Sequence, residues 1–176
     1  TTEELGSRSI LEALGYSEFA VEVERQPGRF AWSIYDARSE MPALSFQEYR
    51  DLAAAGAVRR ADSIEELAQI TGVPHAALAA TFDDVAKMQA GAIADAFGRD
   101  FTTKPALSSP YRAMKTAGAL FHTQGGLVVD AEARVIRADG GALPNLFAGG
   151  GAARGISGPS SWGYLAGNGL VTAVVY

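Results

Sequence analysis

The 176-residue chain contains no cysteine. This absence excludes disulfide bonds, thiolate metal ligands and a cysteine nucleophile together. Any redox chemistry must therefore come from a bound cofactor. The two histidines, His75 and His122, lie far apart in the sequence and do not indicate a metal site.

Basic residues are also scarce, with 15 Lys and Arg against 20 Asp and Glu. Neither basic nor aromatic residues gather into the stripe that a nucleic-acid surface needs. No apolar run approaches the ~20 residues that span a bilayer. Residues 1–15 are polar and lack the parts of a signal peptide. We therefore expect a cytoplasmic globular protein with no nucleic-acid partner and no membrane span.

The first part of the chain shows helix, strand and helix patterns in turn. Residues 1–14 have a helical pattern that ends at Gly15. Residues 30–38 alternate large and small side chains after a Pro-Gly turn, as a strand does. Residues 46–55 are helical in composition and stop at Gly56.

A helical hairpin is the clearest local pattern. Ser63 and Glu66 have the spacing of a capping box, and Gly72 is a typical helix end. Pro74 suits the first turn of a second helix. One face of that helix carries Leu78, Phe82, Val85 and Gln89. The sequence thus predicts two consecutive helices.

From Tyr111 the composition changes to apolar segments with many glycines. The predicted strands are residues 119–126, 127–130, 133–141 and 143–151. A glycine turn at residues 166–169 then opens an apolar helix that reaches Tyr176 without a polar last turn. Because natural C-termini rarely end so, we expect the natural protein to be longer.

Four features follow one another in this second part. They are His-Thr-Gln-Gly-Gly at 122–126, Leu-Phe-Ala-Gly-Gly-Gly at 146–151, a glycine-rich loop, and Ala-Gly-Asn-Gly at 166–169 before a helix. This order resembles the fumarate reductase and succinate dehydrogenase flavoprotein superfamily, which includes the 3-ketosteroid dehydrogenases. The resemblance is most specific over residues 111–176 and continues, more weakly, back to Phe30.

The resemblance implies a mixed α+β or α/β fold with FAD as cofactor. Residues 1–110 would belong to a substrate-capping domain, incomplete at its start, and residues 111–176 to the C-terminal sheet-and-helix segment of a Rossmann-like FAD-binding domain. Complete members begin with a Gly-x-Gly-x-x-Gly turn, and no such string occurs here. We therefore expect the chain alone to be inactive and to bury apolar surface against a missing N-terminal FAD-binding portion or in a homo-oligomer.

The first candidate FAD contact is the glycine cluster after a predicted strand. Gly149, Gly150 and Gly151 let a ligand approach the backbone because no side chain intervenes. The resemblance places them near the ribityl and pyrophosphate groups, although many relatives carry an acidic or amide side chain in place of Gly151. The alternative is a glycine-rich turn without a ligand.

The second candidate contact is the start of the last helix: Ala166, Gly167, Asn168, Gly169 and Leu170. The first N–H groups of a helix are unpaired and favour negative charge. The resemblance places the electron-rich N1 and C2 oxygen of reduced flavin there. Without the family, the string is only a capped helix start.

His122 and Thr123 are candidate catalytic residues. In the matching family motif the histidine faces the substrate beside the flavin. A histidine can donate a hydrogen bond to developing enolate charge, and a threonine adds a hydroxyl. A lone histidine without a visible partner is otherwise a structural residue.

The loop before the last helix departs from the dicarboxylate reductases. Those enzymes clamp a substrate carboxylate with an arginine shortly before the Gly-Asn pair. This chain instead has Ser160, Ser161, Trp162, Gly163 and Tyr164. The position that corresponds to the proton-donating arginine of the reductases falls near the chain start, where this sequence has Thr1, Thr2 and Glu3 instead. Both losses argue against fumarate as the substrate.

Trp162 and Tyr164 suit a flat or apolar substrate, and the Tyr164 hydroxyl is a candidate proton-transfer group. Both rings have packing of the loop as an alternative. Ser160, Ser161 and nearby Arg154 are further candidate substrate contacts, although an ordinary surface arginine is the commoner explanation for Arg154.

The leading hypothesis is an FAD-dependent oxidoreductase acting on a small molecule. It would add or remove hydrogen across a carbon–carbon bond next to an electron-withdrawing group, by hydride transfer with the flavin. One alternative is a non-catalytic binding module with the cap fold. Another is a steroid- or amine-type flavin oxidoreductase.

Overall fold

The computed structural model describes residues 14–103, 105–120, 124–158, 160–162, 164 and 167–175. Over these residues the chain divides into two compact units. The first consists mainly of residues 22–118, and the second contains residues 16–21 and those from Ala119 onward. The mixture of helices and strands agrees with the expected fold class. The functional assignment of residues 1–110 and 111–176 stays a prediction.

A three-stranded antiparallel sheet is the frame of the first unit. Its strands are β1 (Phe30–Asp36), β2 (Val58–Ala61) and β3 (Tyr111–Ala117), in the order β1-β3-β2. Tyr111 pairs with Asp36 of β1 on one side and with Ala61 of β2 on the other. The central strand therefore comes last in the sequence.

Six helices are described: α1 (Tyr16–Glu24), α2 (Ala37–Ala43), α3 (Gln47–Ala54), α4 (Ile64–Thr71), α5 (His75–Gln89) and α6 (Asn168–Val175). The cap of α4 is formed by Ser63, whose hydroxyl accepts a hydrogen bond of 3.1 Å from the Glu66 N–H. The Glu66 carboxylate accepts from the N–H of Asp62 at 2.7 Å. Gly72 ends α4 with a φ of 72°. The predicted hairpin is confirmed.

The core of the first unit lies between the sheet and this hairpin. Leu67 of α4 and Ala113 of β3 are fully buried at 0% exposure, and Leu78 of α5 is buried as well. The rings of Phe82 and Tyr111 meet edge to face, with centroids 5.4 Å apart. Leu78 and Phe82 thus form the inner face predicted for α5, because residues four apart share one side of a helix.

A half-buried polar cluster joins α2 and α3 to the sheet. Arg112 of β3 forms an ion pair of 2.7 Å with Glu40, and this hydrogen bond raises the pKa of Arg112. The Tyr49 hydroxyl donates to Glu40 at 3.1 Å and shares a bond of 2.8 Å with the hydroxyl of Tyr35. Burial and these two bonds raise the pKa of Tyr49, so it stays protonated at neutral pH.

The second unit has a smaller core and a shorter sheet. Strands β4 (Arg134–Ile136) and β5 (Ala142–Phe147) pair antiparallel. Leu127 forms a single parallel bridge with Ala153. The buried core residues are Val135, Ala148 and Ala153. Many large apolar side chains of this unit stay exposed, including Leu146, Phe147, Leu170, Val171, Val174 and Val175.

Some predicted elements differ from the structure. The strand expected over 119–126 is wrong in its described part, since residues 119–120 and 124–126 carry no strand and β3 lies just before them. The strand expected over 127–130 is reduced to isolated bridges. The predicted opening helix falls on residues 1–14, which lie almost wholly outside the described residues, and α1 follows it instead.

Within the described part of the chain, no helix combines the length and the apolar character that crossing a membrane requires.

Candidate cofactor and active site

The first candidate cofactor segment follows β5. Buried Ala148 leads into Gly149, which is extended, and then into a 3-10 turn, Gly150–Ala152. Gly150 has a φ of +53°, a conformation that favours glycine. Gly151 is exposed, and a Cβ added to it would meet no atom within 4 Å. Its backbone therefore borders open space.

The second candidate segment is the start of α6. Gly167 has a φ of +90°. Its carbonyl accepts a hydrogen bond of 3.0 Å from the N–H of Val171, and this bond closes the first turn of α6. Gly167 has no side chain with which to cap this turn. A Cβ added to Gly169 would also find open space. The backbone is thus accessible at the helix end, where free N–H groups favour electron-rich atoms.

These two segments contact each other. A Cβ added to Gly150 would lie 3.4 Å from the Cβ of Ala173 on α6, an ordinary van der Waals distance. The side-chain amide of Asn168 donates a hydrogen bond of 2.5 Å to the hydroxyl of Ser157, in the loop that follows the 3-10 turn. The structure therefore packs the glycine turn on the second half of α6 and ties the loop that follows this turn to the first residue of the helix.

A pair of tyrosines lies in the same unit. The rings of Tyr16 and Tyr164 meet edge to face, with centroids 5.7 Å apart and planes inclined by 68°. A hydrogen bond with Tyr164 is the main reason why the pKa of Tyr16 is raised. Sequence reasoning selected Tyr164 and missed Tyr16, because no local motif marks a tyrosine at the start of α1. Only the tertiary contact identifies it.

The other predicted loop residues are placed differently. Trp162 is 53% exposed, so its ring does not serve as a buried packing anchor. Ser160 is exposed and Ser161 half-buried. Arg154 has an exposed side chain, and its backbone N–H donates to the carbonyl of Leu127 at 2.9 Å. Its guanidinium has no carboxylate partner among the residues that the structure describes, so it remains available to an anionic group.

Three predicted site residues, His122, Thr123 and Ala166, lie outside the described residues, as does Gly163 in the loop. Their roles stay predictions. His75, which the sequence did not assign to the site, begins α5 and is exposed.

The described site fits FAD in two respects. A Cβ at Gly151 or Gly169 would meet no atom of the described residues within 4 Å, and such open backbone is what close approach of a flat cofactor requires. Second, Gly167 before α6 has no side chain that could cap the first turn, and the first N–H groups of a helix favour an electron-rich ligand.

Comparison with known proteins agrees with this geometry. The FAD binding domain family matches residues 9–170. A probable fumarate reductase, Ifc3, of Shewanella frigidimarina (strain NCIMB 400) is 32% identical over 171 residues, covering 97% of this chain and 28% of the relative. The chain thus spans little more than a quarter of that relative's length.

Solved structures show the same fold. The open conformation of a flavocytochrome c3 fumarate reductase is 30% identical with a TM-score of 0.69, covering 97% of this chain and 29% of the other. The 3-ketosteroid delta1-dehydrogenase from Sterolibacterium denitrificans, solved with 1,4-androstadiene-3,17-dione, has a TM-score of 0.67 at 24% identity, covering 97% and 35%. The relative and the first structure confirm the resemblance to fumarate reductases, and the ketosteroid dehydrogenase shares the fold. The chain belongs to the FAD binding domain family of oxidoreductases, whose cofactor is FAD.

Proposed function

We propose that this chain forms part of an enzyme that transfers hydride between FAD and a carbon–carbon bond next to an electron-withdrawing group. The observation that carries the proposal is the open backbone at Gly151 and Gly169, in a glycine turn and a helix that pack on each other. The similarity to a probable fumarate reductase supports this reaction class, since fumarate has a carbon–carbon double bond between carboxylates.

The start of α6 would stabilise the reduced cofactor. FAD, when bound, supplies the hydride acceptor or donor. The backbone N–H groups of the first turn carry partial positive charge and lie beside the open space at Gly169. Directed at the electron-rich edge of the flavin, they would favour the reduced state and so assist removal of hydride from a substrate.

The tyrosine pair would handle the substrate's oxygen and the proton. The Tyr16 hydroxyl is protonated at neutral pH, as in any tyrosine of ordinary or raised pKa, and it can donate a hydrogen bond. Tyr164 would polarise the electron-withdrawing group, and Tyr16 would exchange the proton with it. His122 and Thr123 are proposed as additional donors, as their family motif implies.

The loop favours a flat, apolar carbonyl compound over a dicarboxylate. Trp162 is exposed and offers a ring face, and Ser160 and Ser161 occupy the positions where an arginine clamp is expected. This supports the steroid-type alternative. Arg154 is proposed as a contact for an anionic group of the substrate or cofactor.

We expect another protein surface to bury the exposed apolar face of α6. Leu170 is 76% exposed and Val174 87% exposed, and apolar patches of this kind mark an interface. We propose that an N-terminal FAD-binding portion of the same protein covers it, or a second copy of the chain. A strictly monomeric gel-filtration profile of this chain alone, with no binding to that portion, would contradict this. The cytoplasmic location stays a prediction.

Spectroscopy and substrate profiling of full-length protein test the proposed function. We expect a flavin absorbance band and hydride transfer with unsaturated or saturated carbonyl compounds, whereas a colourless protein that cannot be reconstituted with FAD would favour the non-catalytic module. Tyr164→Phe and Tyr16→Phe should each lower kcat by roughly 10²-fold or more. Tyr111→Phe is the matched control, since its ring packs on Phe82 in the other unit, and it should leave kcat unchanged.

A further inference from the structure

Gln124 was not selected from the sequence, yet its side chain occupies a place that only a glycine leaves free. A Cβ built on Gly155 would overlap the Gln124 Oε1 and lie 3.1 Å from its Cδ, so any larger residue at position 155 would displace this side chain. The backbone N–H of Gly155 also donates a hydrogen bond of 3.0 Å to the carbonyl of Gln124. The Gln124 side chain therefore packs directly on the backbone of Gly155.

This contact lies between the two candidate cofactor segments along the chain. Gly155 follows the open backbone of Gly151 by four residues, which limits the distance between them to about 14 Å at most. Two residues later, Ser157 contacts Asn168 at the start of α6. We therefore expect a ligand bound by both segments to lie close to the Gln124 side chain.

The backbone beyond Gln124 is fixed to the same stretch of chain. The N–H of Leu127 donates a hydrogen bond of 2.9 Å to the carbonyl of Ala152, and the N–H of Arg154 donates one of 2.9 Å to the carbonyl of Leu127. The segment that carries Gln124 is therefore held directly against the residues that follow the glycine turn.

The orientation of the Gln124 carboxamide leaves its NH2 group available. Its oxygen faces the Gly155 backbone, where a Cα–H group is a weak donor to oxygen and repels an N–H group. Gln124 is half-buried, and its NH2 group donates no hydrogen bond to the residues that the structure describes. A ring that covered this segment would exclude water from the NH2 group, which would then need an acceptor.

We propose that Gln124 is a flavin contact whose side-chain NH2 group donates a hydrogen bond to a carbonyl oxygen of the isoalloxazine ring, with Gly155 as the residue that holds the side chain in place. FAD is the ligand because it is the cofactor of the family. The inference rests on the proposed function for the position of the ring. The contact between Gln124 and Gly155 concerns only residues of this chain.

Loss of the donor should weaken FAD binding. In the full-length protein, Gln124→Ala should raise the FAD Kd about 2- to 10-fold, the size of one hydrogen bond, and move the infrared carbonyl bands of the bound flavin to higher frequency. Gln124→Glu keeps the length of the side chain but places negative charge beside the ring. Its FAD Kd should rise at least as much, and the flavin midpoint potential should fall.

Gly155→Ala tests the contact without removing the amide. Gly155 has no left-handed φ that alanine would strain, and the two atoms nearest to the new methyl group belong to the flexible end of Gln124. The protein should therefore stay folded with this side chain displaced, and show the FAD Kd and infrared bands of Gln124→Ala. Gly155→Ala added to Gln124→Ala should cause no further change, because the side chain that it displaces is already gone. Additive losses in the double variant would overturn the inference.

Gln69→Ala and Gly141→Ala are the matched controls. Gln69 is exposed on α4, and a Cβ at Gly141 would lie 3.3 Å from the side-chain oxygen of Asp139, so both variants should leave the FAD Kd and the infrared bands unchanged. Wild-type values of both in Gln124→Ala would overturn the inference and leave the proposed function intact. A wild-type protein that binds no FAD would overturn both.

Discussion

The two units of this chain depend on different parts of the polypeptide. The first is held by side chains: Leu67 and Ala113 are fully buried, and Glu40 of α2 pairs with Arg112 of β3. The second contains many glycines, and its buried core cluster consists of the small side chains of Val135, Ala148 and Ala153. A segment whose backbone must meet a ligand cannot also fill a core with large residues, so its apolar face is left for another surface.

The largest effect should come from the core of the first unit. Leu67→Ala should lower the free energy of unfolding by about 2–5 kcal/mol, because it removes buried methyl groups and leaves a cavity. Chemical denaturation followed by the fluorescence of Trp32 measures this, in a Trp162→Phe background that leaves Trp32 as the only tryptophan.

Leu52→Ala is the control, since Leu52 is 47% exposed on α3, and it should cost about 1 kcal/mol or less. Equal losses for Leu67 and Leu52 would contradict the assignment of the core.

In the second unit, an added methyl group, rather than a removed one, should lower the free energy of unfolding. A Cβ at Gly126 would lie 2.4 Å from the carbonyl carbon of Ala153, beside the Leu127–Ala153 bridge. Gly126→Ala should therefore cost about 1–3 kcal/mol, seen in the fluorescence of Trp162 in a Trp32→Phe background. Retention of wild-type stability would show that this backbone contact is not close.

Acid should affect the first unit through Asp36, which is 1% exposed. Burial acts to raise the pKa of Asp36, but hydrogen bonds from Arg38, Ser108 and Ser39 outweigh it and hold the pKa below the ordinary value of 3.8. A lowered folded-state pKa contributes stability above the unfolded value, which is lost as the pH falls through the folded one. The denaturation midpoint should thus fall as the pH drops below about 4.

Asp36→Asn should flatten that dependence and cost about 1 kcal/mol at pH 7. Asp83→Asn, at an exposed position of α5, should leave the pH profile of the wild type unchanged. A profile in Asp36→Asn as steep as that of the wild type would assign the acid sensitivity to another group.

Local patterns predicted the elements that local chemistry determines. The α4–α5 hairpin followed from Ser63, Gly72 and the spacing of Leu78 and Phe82, all within one stretch of chain. The position of β3 did not follow, because its pairing partners in β1 and β2 come much earlier in the sequence. Strand pairing over such distances depends on the whole fold.

The site shows the same division. The glycines of both cofactor segments could be selected because glycine has a specific backbone meaning. The contact of Tyr16 with Tyr164 and the bond of Ser157 to Asn168 join residues that no motif connects. Only the tertiary structure of the second unit identifies these two contacts.

The central claim is that backbone at the start of α6 borders the cofactor, and Gly169→Ala tests it most directly. The new methyl group would meet no atom within 4 Å in the part of the chain that the structure describes, and alanine favours a helix by up to ~1 kcal/mol over glycine, so the apo-protein should be as stable as the wild type or more so. FAD titration of the full-length protein should nevertheless show a Kd raised about tenfold by the steric block. Gly141→Ala, in the β4–β5 turn, should leave the Kd unchanged. An unaltered FAD Kd in Gly169→Ala would contradict the account.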